Sequence, residues 1–196
     1  VELMCACATA FLASHLRLPT RCSRWYHIGP ALRPHLGCNA YTLIAAPGQP
    51  GPSGSGGTKS VAARRIAADE VIFRESGSVS TLPGMHSIQL DVNLHMDVSG
   101  DARWTAHSFE PNMYVRIAHL HGHPIDFVAL RDIEQGDVLS IDYNATEWCL
   151  AVPFVDDATG KQVRGFKYLP VEEQRRLLGA RIVPKHILHL WVLSLL

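Results

Sequence analysis

From Thr58 onward the chain is cut into short apolar segments separated by turn residues, and this spacing constrains the fold more than any other feature. "SVAARRIAADEVIFRE" reads as strand, turn at "AADE", then strand. "HSIQLDV" alternates apolar and polar residues, as a half-buried strand does. "YVRIAHLHGHPIDFVALRDI" reads as a hairpin turning near Gly122 and Pro124, and "EQGDVLSIDYN" adds a turn at Gly136 and a further strand. The pattern predicts a mainly β domain with a helical tail. A helix is predicted only at "PVEEQRRLLGARI", where Glu172, Glu173 and Gln174 open an apolar periodic run after Pro170. Its arginines Arg175 and Arg176 belong on a solvated face, with Leu177 and Leu178 turned inward.

The β pattern is preceded by "APGQPGPSGSGG", a Pro/Gly/Ser stretch too poor in apolar side chains to fold alone. It divides residues 1–46, a leader, from a domain expected to start at residue 58 and run to about 146, with a C-terminal flank and helical tail over 147–196. The leader carries Arg17, Arg21, Arg24 and Arg33 against one acid, Glu2. That composition is shared by organelle transit peptides and by unstructured extensions.

Charge and cysteine usage narrow the functional classes. The 196 residues hold 18 basic and 18 acidic side chains, which leaves the part after the leader with 14 basic against 17 acidic. A mildly acidic body lacks the basic stripe that releases counterions from phosphates, so direct nucleic-acid binding is not expected. Four of the five cysteines, Cys5, Cys7, Cys22 and Cys38, crowd into the leader, and Cys149 stands alone. Their gaps fit no common zinc spacing and no disulfide framework, which suits a reducing, intracellular setting. The longest apolar runs, "LMCACATAFLA" and "HILHLWVLSLL", fall short of the ~18–20 residues of a membrane-spanning helix, so no membrane partner is expected.

The stretch "RWTAHSFEPN", residues 103–112, sets a His-Ser pair beside an acid, a proline and an asparagine. The residues alone allow a hydrolytic Ser/His site, a metal site using His107, or a structural turn ending at "EPN". A hydrolase lacks its G-x-S-x-G elbow around Ser108. His119-x-His121-x-His123 would place three imidazoles on one strand face, but Gly122 and Pro124 break that strand and no carboxylate joins it, so a solvated hairpin tip is expected. His86 and His95 are isolated in sequence and read as histidines satisfied within the domain.

Taken together, "TKSVAARRIAADEVI", "GDARWTAHSFEPN" and "IDFVALRDIEQGDVLSIDYN" resemble, in order and spacing, the SET domain of protein lysine methyltransferases. The usual family forms are GxGxFAxxxIxxGEVI, RFxNHSCxPN and FAxRDIxxGEELTxDYN, and the likeness covers residues 57 to about 146. "TEWCLAVPF" and "VRGFKYL" are similar to the C-terminal flank of small single-domain members.

The resemblance implies a mainly β, β-clip or SET-like fold of several small twisted sheets, in which the segment ending in "DY" threads through a loop of the preceding chain beside "AHS". It further implies methyl transfer from S-adenosylmethionine to the lysine of a protein substrate. Tyr143 would be the catalytic tyrosine; Thr58, Lys59, Ser60, Trp104, Ala106 and His107 would hold the cofactor; Phe127, Phe154 and Phe166 would form the substrate channel. Two departures mark this chain. Ala106 stands where the family has asparagine, and Thr58-Lys59-Ser60 stands where it has the leading glycines. They define a second reading, a SET-fold protein-binding module without catalysis. The family's zinc-binding cysteine cluster after "DYN" is absent from "PFVDDATGKQVRGF", so no metal is expected there.

Overall fold

The computed structural model describes residues 40–45, 58–117, 125–180 and 182–196. The chain runs through β1 (Tyr41–Ala45), β2 (Thr58–Ala62), β3 (Val71–Glu75), β4 (Gly77–Ser80), β5 (Ser87–Asp91) and β6 (Leu94–Val98). It continues through β7 (Ala106–His107), β8 (Met113–Arg116), β9 (Ile125–Ala129), β10 (Ser140–Ile141), α1 (Tyr143–Thr146), β11 (Phe154–Val155) and β12 (Gln162–Val163). Two helices close it, α2 (Val171–Gly179) and α3 (Lys185–Leu193). The strands form two three-stranded sheets, β3-β9-β8 and β4-β6-β5, and the two-stranded pairs β1-β2, β10-β7 and β11-β12.

Each expected strand has a local cause. In β9, "IDFVA" is buried at every position because β3 and β8 flank it on both sides. Phe127 of this strand meets Phe73 of β3 edge to face, with ring centres 5.7 Å apart. The "AADE" turn places Asp69 at φ 65°, a left-handed conformation that aspartate tolerates better than most residues, and "EQGD" places Gly136 at φ 92°. The turns flank a reciprocal backbone pair, in which Ile66 and Ile133 exchange N–H···O bonds of 2.9 Å and both side chains are fully buried. The hairpin tip with His119, His121 and His123 lies outside the described residues, as do the four leader cysteines.

Two elements depart from the sequence reading. Tyr41–Ala45, assigned to the leader, pairs antiparallel with β2, register Tyr41 to Ala62. The Tyr41 ring lies 4.4 Å from that of Phe73 and its hydroxyl donates to Asp101 Oδ2 at 2.8 Å, so the sheet begins ahead of the Gly/Pro/Ser stretch. The apolar C-terminal run folds as α3, which buries Ile187 against a second core cluster of Ala145, Phe166, Leu177 and Ile182. The predicted helix is α2, with Leu177 buried, Arg175 and Arg176 exposed, and two glutamates in the first turn where the helix dipole favours them. Gln174 joins the two helices: its Nε2 donates to the Phe166 carbonyl at 3.0 Å and its Oε1 accepts from Trp191 Nε1 at 2.9 Å.

Candidate functional site

The "AHS" and "IDY" segments meet because β7 and β10 run parallel, with Ala106 beside Ser140 and His107 beside Ile141. On its other side the same segment is held by β2, whose Ser60 carbonyl accepts from Leu139 N–H at 2.9 Å. Asn112, the asparagine of "EPN", is the clip. Its Nδ2 donates to the Val138 carbonyl at 2.8 Å and its Oδ1 accepts from Ser140 N–H at 2.9 Å. Ser108 ends the question posed by the His-Ser pair: its Oγ accepts from Glu110 N–H at 3.0 Å and shapes the turn.

Beyond β10, Asp142 caps α1 by accepting from Asn144 N–H at 2.9 Å. Asn144, fully buried, accepts from the N–H groups of Arg164 and Gly165 at 3.1 and 3.0 Å, which ties the flank to the site. Gly165 sits at φ 109°, and a β carbon there would come within 2.7 Å of the Trp148 carbonyl.

These elements enclose a cavity of about 600 Å³, within the range of small-molecule sites. Of the residues expected to form a site, Thr58, Lys59, Trp104, Ala106, His107, Phe127, Tyr143 and Phe154 line it together. Ser60 does not; it is fully buried within β2 with its hydroxyl unpartnered. Nor does Phe166, expected at the substrate channel. The turn after Gly165 directs its ring into the second core cluster, where it stacks on Trp148 at 6.2 Å.

His107 and Tyr143 form the centre of the wall. The Tyr143 backbone N–H donates to His107 Nδ1 at 3.2 Å, and the Tyr143 hydroxyl donates to the Thr105 carbonyl at 2.6 Å. Phe154, from the β11-β12 hairpin, stands edge-on to both rings, 5.8 Å from His107 and 6.1 Å from Tyr143. Burial pushes the His107 pKa down to about 4 and the Tyr143 pKa up to about 12. Both side chains are therefore neutral near pH 7. Burial also raises Asp142 to about 6, against the hydrogen bonds from Asn144.

Several wall groups escaped the sequence reading. Thr105 contributes a buried Oγ1 without a partner, and Glu147 contributes a buried carboxylate. Glu147 follows Tyr143 by four residues, a spacing that sets two side chains on one side of a helical turn and was available as a signal. Among the described residues, no group of three His, Cys, Asp or Glu side chains converges as a metal site.

The SET domain family model matches residues 57–144, the span that holds β2 through α1 and the centre of the cavity wall. Those residues are a SET domain. No curated protein matches the chain. The SET assignment agrees with the mainly β architecture of small sheets and a C-terminal helix. A SET domain suggests a lysine-methyltransferase-type protein or a SET-fold module; SET domains generally bind S-adenosylmethionine, and SET methyltransferases act on proteins. Among the described residues, no helix is long and apolar enough to cross a membrane.

The SET cavity suits that cofactor on its own chemistry. Its wall offers the Lys59 ammonium for a carboxylate, the Asp156 carboxylate for a cationic group, and the aromatic faces of Trp104 and Phe154. The unpartnered Thr105 Oγ1 and His107 Nε2 are buried polar atoms for which a ligand would supply partners.

Proposed function

We propose that this SET domain transfers a methyl group from S-adenosylmethionine to a lysine side chain of a protein. The observation that carries this reading is the convergence of Thr58, Lys59, Ala106, His107 and Tyr143 on one cavity. Thr58, Lys59, Trp104, Ala106 and His107 would hold the cofactor, which supplies an already activated methyl group. The chain's own task is then positioning and desolvation.

Tyr143 is suited to the positioning. Its proton is committed to the Thr105 carbonyl, so its oxygen lone pairs are left to accept a hydrogen bond from an amine and aim it. His107, neutral at physiological pH, adds no positive charge to a site that must take in a cationic cofactor and a cationic side chain. Phe127 and Phe154 supply the apolar wall around the lysine stem. The domain is proposed to start at Ala40, whose carbonyl accepts from Ala63 N–H at 3.0 Å, and the residues before it form the leader.

Isothermal titration of the folded protein with S-adenosylmethionine tests the first step. Binding supports the enzyme reading; its absence sinks that reading and leaves a SET-fold module. Peptide arrays and lysate with labelled cofactor then identify the lysine.

A further inference from the structure

The cavity wall holds a buried carboxylate, Glu147, that the positioning of the amine does not use and that faces His95. The Glu147 side chain is 8% exposed and that of His95, on β6, is 9% exposed, with Glu147 Oε2 3.6 Å from His95 Nδ1. Glu147 Oε1 accepts from the Gln89 N–H at 2.6 Å, so the carboxylate is fixed by β5 on one side and faces His95 on the other. A buried carboxylate is costly unless paired. Here Glu147 lines the cavity, and its N–H donates to the Tyr143 carbonyl at 3.2 Å.

Methyl transfer to nitrogen needs a lone pair, whereas a lysine arrives as an ammonium with pKa near ~10.4. Tyr143 cannot take that proton near neutral pH, since its own hydroxyl is held at about 12. His107 is held at about 4, and its Nδ1 lone pair already accepts from Tyr143 N–H. The other titratable groups lining the cavity are Lys59, His86, Arg103, Asp156 and Asp157. Lys59 and Arg103 are cations. Asp156 Oδ2 is engaged by Thr159 N–H and Oγ1 at 2.9 and 2.6 Å, Asp157 is exposed, and His86 is half-buried against Trp104. Glu147 is the deeply buried acceptor, and burial raises its pKa above the usual carboxylate range, which strengthens it as a base.

We propose that Glu147, positioned by His95, accepts the proton that the substrate ammonium loses before methyl transfer. This rests on the methyl-transfer reading. An N–H bond of the ammonium breaks as an O–H bond forms on Glu147. The freed lone pair then forms the N–C bond while the C–S bond breaks, its electron pair leaving with sulfur. The methylated amine departs as a cation, and the Glu147 proton passes to water.

Two measurements on the full chain test this. The first needs no cofactor: the ¹³C carboxyl resonance of Glu147, identified by its loss in Glu147→Gln or in Glu147→Asp, is followed through a pH titration. The titration is repeated with n-butylamine standing in for the lysine side chain, against sodium chloride at equal ionic strength. A butylammonium beside the carboxylate should lower the midpoint; an unmoved midpoint overturns the proposal. The second is single-turnover methyl transfer to a lysine-bearing peptide library across pH. Glu147→Gln should slow transfer by about a hundredfold or more, abolish the rise of rate with pH and keep cofactor affinity, while Glu147→Asp recovers part of the rate. An unchanged pH-rate profile in Glu147→Gln overturns the proton-accepting role while methyl transfer stands. A moved midpoint in a wild type that transfers no methyl group keeps Glu147 as the amine's partner and sinks the methyl-transfer reading instead.

Discussion

The backbone N–H of Tyr143 donates to Nδ1 of His107, 3.2 Å away, across the parallel pairing of β10 with β7. An imidazole that accepts at Nδ1 and is neutral carries its proton on Nε2, so this one bond fixes both the tautomer and the ring orientation. Asp142 Oδ1 lies 3.9 Å from the same nitrogen, yet burial keeps the imidazole uncharged.

The first prediction follows from that charge state. The folded pKa of His107 is depressed from the ordinary 6.5 to about 4, so the unfolded chain binds the proton first. The stability that His107 contributes is therefore present above pH 6.5 and is lost as pH falls toward 4. His107→Gln keeps an acceptor for Tyr143 N–H and does not titrate. The stability of wild type relative to this variant should fall by roughly 3 kcal/mol across the window, as measured by urea unfolding at each pH. Asp142, raised to about 6, changes stability in the opposite sense, but it is common to both proteins. A pH-independent difference would mean that folding leaves the His107 pKa at its unfolded value, and a difference that grows as pH falls would place a charged imidazole in the wall.

Tyr143→Phe keeps the ring and removes the hydroxyl that donates to Thr105. Single-turnover methyl transfer should drop by about a hundredfold or more through lost positioning, with cofactor affinity nearly intact. Stability should fall by about 1 kcal/mol for one hydrogen bond, with circular dichroism as the check on the fold. Wild-type rates in this variant would remove Tyr143 from the mechanism.

Ala106→Asn restores an amide to a cavity-lining position. Titration calorimetry should show S-adenosylmethionine binding strengthened by about 1 kcal/mol. Unchanged or weaker binding would mean that neighbouring side chains fill the space an amide needs.

Removing residues 1–39 should leave thermal unfolding unchanged. Removing residues 1–57 also deletes β1, with the Tyr41 ring against Phe73 and the hydroxyl bond to Asp101, and should cost roughly 2 kcal/mol. Equal melting temperatures for the two truncations would detach β1 from the domain.

Strand β5 and the pairing of β8 with β9 were legible because their signals are local: alternating side chains in "HSIQLDV", and two apolar runs on either side of Gly122 and Pro124. β1 was not, since "YTLIA" lies ahead of a linker and its partner β2 lies beyond it. α3 was hidden because its run is apolar on nearly every face, which blurs the helical period. In the site, His107 and Tyr143 were legible through a family likeness, whereas Thr105 and Asn112 act through bonds to residues that sequence spacing does not connect. Phe154 and Phe166 look alike as flank aromatics. A glycine at positive φ just before Phe166 turns that ring into the core, while the β11-β12 hairpin carries Phe154 to the cavity.

The bonds from Arg164 and Gly165 to Asn144 also set a timetable for the chain as it is made. A ribosome delivers Thr58 and Lys59 first and the anchors of α1 about a hundred residues later, with domains folding as their segments emerge. The half of the wall built from β2 must therefore wait, exposed, for the half that completes it. A nascent chain halted before Arg164 would carry Tyr143 without the two bonds that tie the neighbouring Asn144 to the flank. Ligand binding is then acquired only after Gly165 has emerged, and a ribosome stalled short of that point would display β2 through α1 with no finished site.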